Sequence, residues 1–278
     1  MKIDLERRET GEIVRGLGTL YTWNLVSPRL GITTKLSRDS RTILRASFGR
    51  FHQGVLTGEA SQVHPGLTPI TTMAFDTATG GYTGLVSVVD PKINLFIDPK
   101  TRSPRTDEYS IGVDRELGNG LSASVAYIHK AGRDYIGWTD VGGQYREETR
   151  PLPDGRSVPV FVLVNSTSDR RFVMTNPDGY FVRYDGLVIA AEKRAFKGWQ
   201  AFGSYTYSRV YGLQSNSGAT PGGAQLSTVA NATPITFGQD PNDLTNARGR
   251  LPNDRPHVFR IMGKADMPRT GVAIAANF

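Results

Sequence analysis

The sequence predicts an all-β chain: an antiparallel transmembrane β-barrel segment of about eight long strands, with short periplasmic turns and long extracellular loops. Three observations predict it. Long segments alternate with a period of two, short and long connections follow each other in turn, and aromatic residues stand at the ends of alternating stretches. WQAFGSYTYS (199–208) shows the first and third together. Trp199, Ala201, Gly203, Tyr205 and Tyr207 share one face, and Gln200, Phe202, Ser204, Thr206 and Ser208 share the other. Successive side chains of an extended chain point to opposite sides, so this stretch builds a wall with one oily face and one wet face.

Four pairs of strands follow along the chain. Strands are expected at about 28–37 and 41–51, joined by SRDSR (37–41). The second pair, about 104–117 and 121–132, turns at Gly118-Asn119-Gly120. About 180–194 and 198–211 turn at Phe196-Lys197-Gly198, and about 255–266 and 271–278 turn at Pro268-Arg269-Thr270. Asn-Gly and Gly-containing links supply the positive φ that tight hairpins need. Between the pairs lie long stretches, 52–103, 133–179 and 212–254, expected to be irregular. Compact soluble domains rarely carry several such loops. Outer-membrane barrels do, with all short turns at one end and all long loops at the other.

Within the strands the two faces differ in chemistry. Tyr109, Ile111, Val113, Arg115 and Leu117 oppose Ser110, Gly112, Asp114 and Glu116. Leu121, Ala123, Val125 and Tyr127 oppose Ser122, Ser124 and Ala126; Leu187, Ile189 and Ala191 oppose Gly186, Ala190 and Glu192. Phe259, Ile261, Gly263 and Ala265 oppose Arg260, Met262 and Lys264. Small and charged side chains suit a watery lumen, so Ser110, Asp114, Glu116, Ser122, Ser124, Glu192, Ser204 and Ser208 are the candidate lumen-facing residues. Tyr109, Tyr127, Trp199, Tyr205, Tyr207 and Tyr211 are the candidate aromatic girdle. Trp199 and Tyr207 stand roughly 26 Å apart at about 3.3 Å per residue. A tilt of about 40° reduces this to ~20 Å along the membrane normal, close to the apolar band of ~25 Å between girdles.

Composition bounds the remaining classes. The 278 residues have a mean hydropathy of −0.33, and no apolar run approaches the ~20 residues of a spanning helix. Absence of cysteine excludes disulfides, thiolate zinc sites and cysteine nucleophiles. A net charge of +7 and a pI near 9.7 raise nucleic acid as a partner, but the basic residues are scattered along the chain, so none is expected. His52, His64, His129 and His257 lack metal-ligand spacing. Asp240, Asn242 and Asp243 offer oxygen ligands without an EF-hand pattern, and a solvated loop is expected there. Phosphate loop and nucleophile elbow are both missing; the acid pairs Asp107-Glu108 and Glu147-Glu148 have no implied catalytic geometry. No enzyme and no cofactor are expected.

Four segments resemble the barrel of TonB-dependent outer-membrane receptors of the Oar-like branch. They are SPRLGITTKLSRDSRTILRASFGRF (27–51), SPRTDEYSIGVDRELGNGLSASVAYIHKAGRD (103–134), YDGLVIAAEKRAFKGWQAFGSYTYSRV (184–210) and NDRPHVFRIMGKADMPRTG (253–271). Their order matches that of such barrels, and they cover nearly all the expected strands. The resemblance implies uptake of an unknown ligand across the outer membrane, powered through TonB, with outer-membrane lipid and the rest of the receptor as partners. Such receptors have a plug domain and a barrel of about 22 strands. Residues 1–278 are therefore expected to form one partial outer-membrane β-barrel domain, with 1–27 a loop leading into the barrel and 28–278 the strands and loops. MKIDLERRET has no apolar core of a signal peptide, and no plug is read in the chain. Two other readings remain: a complete small barrel acting as adhesin or structural anchor, suggested by the alternating end GVAIAANF (271–278), and a soluble basic β-sandwich binding carbohydrate or nucleic acid.

Overall fold

The computed structural model describes residues 5–7, 12–54, 62–196, 198–213, 241–252, 254–267 and 269–278. Its strands, in chain order, are β1 (Leu5–Arg7), β2 (Glu12–Val14), β3 (Arg29–Lys35), β4 (Thr42–His52), β5 (Ile70–Asp76), β6 (Gly81–Val89), β7 (Leu95–Ile97), β8 (Arg105–Gly118) and β9 (Leu121–Arg133). There follow β10 (Gly137–Asp140), β11 (Tyr145–Pro151), β12 (Ser157–Leu163), β13 (Phe172–Thr175), β14 (Phe181–Phe196), β15 (Trp199–Leu213), β16 (Gly249–Arg250), β17 (His257–Asp266) and β18 (Ala273–Asn277).

One antiparallel sheet forms the wall, in the order β18-β17-β15-β14-β9-β8-β4-β3, with the short β16 pairing beside β15. Its hairpins are those the alternation predicts. At the β8–β9 turn, Asn119 and Gly120 both have positive φ (52° and 72°), the two left-handed residues that a type I′ connection demands. The β3–β4 turn closes through Leu36 N–H to the Thr42 carbonyl (2.8 Å), with Asp39 accepting from Ser37 and from the Arg41 N–H. Hydrogen bonds from the Ser37 hydroxyl and the Arg41 amide hold the Asp39 carboxyl below its ordinary range. Two expected turn residues, Lys197 and Pro268, lie outside the described residues.

The apolar face of this wall is bare. Leu30, Ile32, Ile111, Val125, Ile189, Phe259 and Ile261 are all exposed, and no second sheet covers them among the described residues. A β-sandwich needs that face packed against another sheet, so the sandwich reading is overturned.

The loops depart from expectation. All three stretches read as irregular contain strands: β5–β7 within 52–103, β10–β13 within 133–179 and the two-residue β16 within 212–254. β5–β6 and β11–β12 are hairpins, while β10, β13 and β7 form a small sheet with β13 parallel to β7. Among the described residues the buried apolar cluster lies here, not on the wall: Val63, Val89, Leu95, Trp138, Phe172 and Met174, with Leu20, Tyr21, Ile97 and Ile136 packed against it. Each piece is too short to bury its own apolar residues, so the two loops bury them against each other. Phe172 N–H donates to the Asn94 carbonyl (2.8 Å), and Trp23 Nε1 donates to the Thr101 carbonyl (2.6 Å). The centre of the third long stretch, 214–240, lies outside the described residues.

Candidate functional site

Strand register decides which side chains meet. One face carries the rows Ser47–Ser110–Ile128–Gly186–Ser208 and Ile43–Asp114–Ser124–Ala190–Ser204–Arg260. Next towards the short turns comes Glu116–Ser122–Glu192–Phe202–Met262. All eight lumen-facing candidates fall on this face, in three rows, the first separated from the other two by the row Arg45–Gly112–Ala126–Val188–Thr206–Val258. Polar groups there satisfy each other across strands: Ser47 and Ser110 hydroxyls meet at 2.7 Å, Arg45 Nε and Asp114 at 2.9 Å, and Lys130 and Glu108 at 2.8 Å. Near the short turns a groove of about 730 Å³ includes Glu192, Gln200, Phe202 and Lys264 in its lining.

The opposite face carries Ala46–Ile111–Tyr127–Leu187–Tyr207–His257 and Leu44–Val113–Val125–Ile189–Tyr205–Phe259. All six girdle candidates share this face. Tyr109, Tyr127, Tyr207 and Tyr211 stand towards the long loops, Tyr205 one row inside them, and Trp199 at the short-turn end. Aromatic rings pack along the upper rows: Phe48 with Tyr109 (5.0 Å between centroids), Tyr205 with Phe259 (4.6 Å) and Tyr207 with His257 (5.3 Å). His129 Nδ1 and the Tyr127 hydroxyl both reach Asp185, at 2.7 and 2.5 Å. At the other end Lys193 Nζ lies 5.3 Å from the Trp199 ring centre and donates to the Asn119 carbonyl (2.6 Å). Arg115, a further charged residue on this face, donates to Thr42 Oγ1 (2.9 Å) close to the turn. Long basic side chains near a strand end lay their stems on apolar surface while the charge reaches a polar boundary.

A family model described as outer membrane beta barrel domain matches residues 10–274. The chain belongs to that family. The barrel therefore resides in the outer membrane, where hydrocarbon covers the bare face and every strand amide must be paired within the wall. Among solved structures, the barrel is similar to the FrpB iron transporter from Neisseria meningitidis (F3-3 variant): 11% identity, TM-score 0.42, covering 99% of this chain and 28% of that one. It is also similar to the outer membrane transporter YddB from Escherichia coli: 12% identity, TM-score 0.48, covering 90% of this chain and 28% of that one. No curated protein matches.

Several residues of the loop end escaped the sequence reading. Asp140 is the hub of the loop cap. Its Oδ1 accepts from the amides of Gly142 (3.0 Å), Gly143 (2.9 Å) and Arg171 (3.2 Å), and its Oδ2 from Tyr145 (2.8 Å) and Arg170 Nε (2.7 Å). Burial pushes this carboxyl up, but Arg170, the two glycine amides and Tyr145 outweigh it and hold it below the usual range. An Asp two residues before Gly-Gly (Asp140-Val141-Gly142-Gly143) was the available signal, since Asp side chains cap such turns. In the stretch expected to be a solvated loop, Asn242 clamps β12: it accepts from the Phe161 amide and donates to the Phe161 carbonyl, both at 2.7 Å. Asp240 lies outside the described residues, and no group of three potential metal ligands occurs among the described ones.

Proposed function

We propose that this chain is a wall section of a TonB-dependent outer-membrane receptor that takes up a ligand, and that it is a receptor component and not an enzyme. One observation carries the reading. The wall presents one face rich in small and polar side chains, and at its long-loop end the first two long loops fold into a cap with its own buried core. A simple anchor needs neither feature. A ligand-capturing barrel needs both, a wet inner surface to pass cargo and a shaped outer surface to recognise it. The sequence resemblance over the four hairpin segments supports the TonB-dependent, Oar-like branch specifically. In this reading the polar rows around Asp114, Glu116 and Glu192 line the passage, and the plug and TonB are its partners.

The anchor or adhesin reading requires eight strands that close on themselves. The margins β3 and β18 are not paired with each other among the described residues, which disfavours closure.

The test is uptake in cells carrying the whole gene. Labelled small peptides, glycans and metal chelates are offered to cells with and without a working TonB. Accumulation that requires both the gene and TonB supports the proposal. Accumulation of a probe that needs the gene but is indifferent to TonB, or no gene-dependent accumulation across the three classes, overturns it.

A further inference from the structure

At the long-loop end of the wall, where β9 ends and β14 begins, the chain encloses a cavity of about 340 Å³. Arg102, Arg133, Asp134, Asp178, Tyr180 and Arg183 contribute to its walls. Asp134 is already committed, held by Arg102 at 2.8 Å and Arg105 at 3.2 Å. Arg133 and Arg183 form no ion pair with a described residue. Arg183 lies opposite Ala131, and Arg133 is two residues beyond Ala131 on the same side of β9, so the two arginines are diagonal neighbours on one face, about 7–8 Å apart at the backbone end. That spacing lets two forks converge on one tetrahedral anion.

Tyr180 is a second, independent pointer. It is 6% exposed, yet its hydroxyl has no hydrogen-bond partner among the described residues. A buried hydroxyl without a partner costs free energy, and a ligand oxygen in the cavity would relieve it. The ring is fixed against Gly137, where a Cβ would stand 2.8 Å from Tyr180 Cε2.

The position of the cavity selects the source of the anion. Arg183 is paired with Tyr211 in the same row and on the same face as the girdle. The Tyr211 ring also carries the Arg209 guanidinium at 5.0 Å from its centre. Arg209 is level with Tyr109 and Asp185, Arg183 is level with Tyr211 and Asp107, and Arg133 lies one row beyond, so the three arginines cluster as a rim at the outer aromatic ring on the face that hydrocarbon covers lower down. This is headgroup level, where anionic lipid meets basic side chains.

We propose that this cavity and rim bind the phosphate of an outer-leaflet lipid headgroup, with Arg133 and Arg183 as the fork, Tyr180 as a hydroxyl donor and Arg209 as a flanking charge. Arginine suits this task because its planar fork matches phosphate oxygens two at a time.

The test uses the full chain in lipid nanodiscs of phosphatidylcholine doped with phosphatidic acid, with retained lipid measured by mass spectrometry. The wild type should enrich phosphatidic acid around itself. R133Q/R183Q should lose about fivefold for each arginine. Tyr180→Phe, which keeps the ring packing, should lose about tenfold or more, the worth of one hydrogen bond to a charged group. Should the double variant fail to fold, judged by its heat-modifiable band, Tyr180→Phe alone decides. Enrichment unchanged in the folded variants overturns the proposal. Loss of the wild-type enrichment when inorganic phosphate is added at an ionic strength matched with chloride also overturns it, by marking a site for soluble anions.

Discussion

The Asp140 carboxylate and the Arg170 guanidinium meet at 2.7 Å inside the loop cap, the acid's side chain wholly inaccessible and the base 12% exposed. They come from opposite ends of a single long loop, separated by thirty residues that contain the β11–β12 hairpin. Their pairing fixes the fold of that loop above the wall.

Removing the acid should open the cap. Asp140→Ala removes the Arg170 guanidinium's partner at 2.7 Å and the acceptor of three backbone amides, and losing one partner of a buried pair costs about 3–5 kcal/mol. Hydrogen exchange should rise sharply across 137–175 while the wall amides of β8, β9, β14 and β15 stay protected. Uniform protection in both regions would show that the ion pair is dispensable.

Acid should act through the same group. The folded Asp140 pKa is depressed, so its contribution is fully present above the unfolded value of about 3.9. It is lost as pH falls through the lower folded value. Proteolysis by pepsin below about pH 4 should therefore nick the cap before the wall in the wild type. Asp140→Asn should show no such pH step.

Orientation of the faces is tested by two adjacent residues. Ile189 sits between Val125 and Tyr205, and Ala190 between Ser124 and Ser204. Ile189→Arg should cost about 2–4 kcal/mol in refolding into lipid, the midplane value for a basic residue on the lipid face. Ala190→Arg should cost much less. Equal costs would mean that the faces are misassigned.

Depth is read from the tryptophans. Trp199 is exposed on the apolar face at the short-turn end, whereas Trp138 is buried in the cap and Trp23 is bound to the Thr101 carbonyl beside it. In W23F/W138F, bromine near the headgroup end of the lipid chain should quench Trp199 fluorescence more strongly than bromine near the bilayer centre. In W199F neither lipid should quench. Strong quenching of Trp23 or Trp138 by either would place the cap in the bilayer.

The cap's own core offers a last check. Phe172 is completely buried among Leu95, Trp138 and Met174. Phe172→Ala should cost about 3–5 kcal/mol, read as loss of Trp138 near-ultraviolet dichroism with the far-ultraviolet β signal retained. Simultaneous loss of both signals would mean that cap and wall fold as one unit.

The wall was legible because its information is local. A two-residue period says which side chains share a face, and Asn119-Gly120 says where the chain reverses. Both operate within one hairpin, so β8–β9 and β14–β15 could be placed within two residues of their ends. The β5–β6 hairpin was equally available, with Phe75 and Tyr82 facing each other across Gly80-Gly81, but the length of the stretch made it read as loop. The rest of the cap was not available. β7, β10 and β13 have three or four residues each, too few for a period to show, and β13 pairs with β7 across more than seventy residues.

By itself the sequence determined the hairpins, their two faces and the alternation of short and long connections, because backbone geometry enforces all three over neighbouring residues. Only the tertiary structure decided where the buried core lies, that Asp140 organises the loop end, and that Arg133, Arg183 and Tyr180 converge on one cavity. Those contacts join segments far apart in the chain, and no local pattern encodes which distant partner a short strand or a lone charge will find.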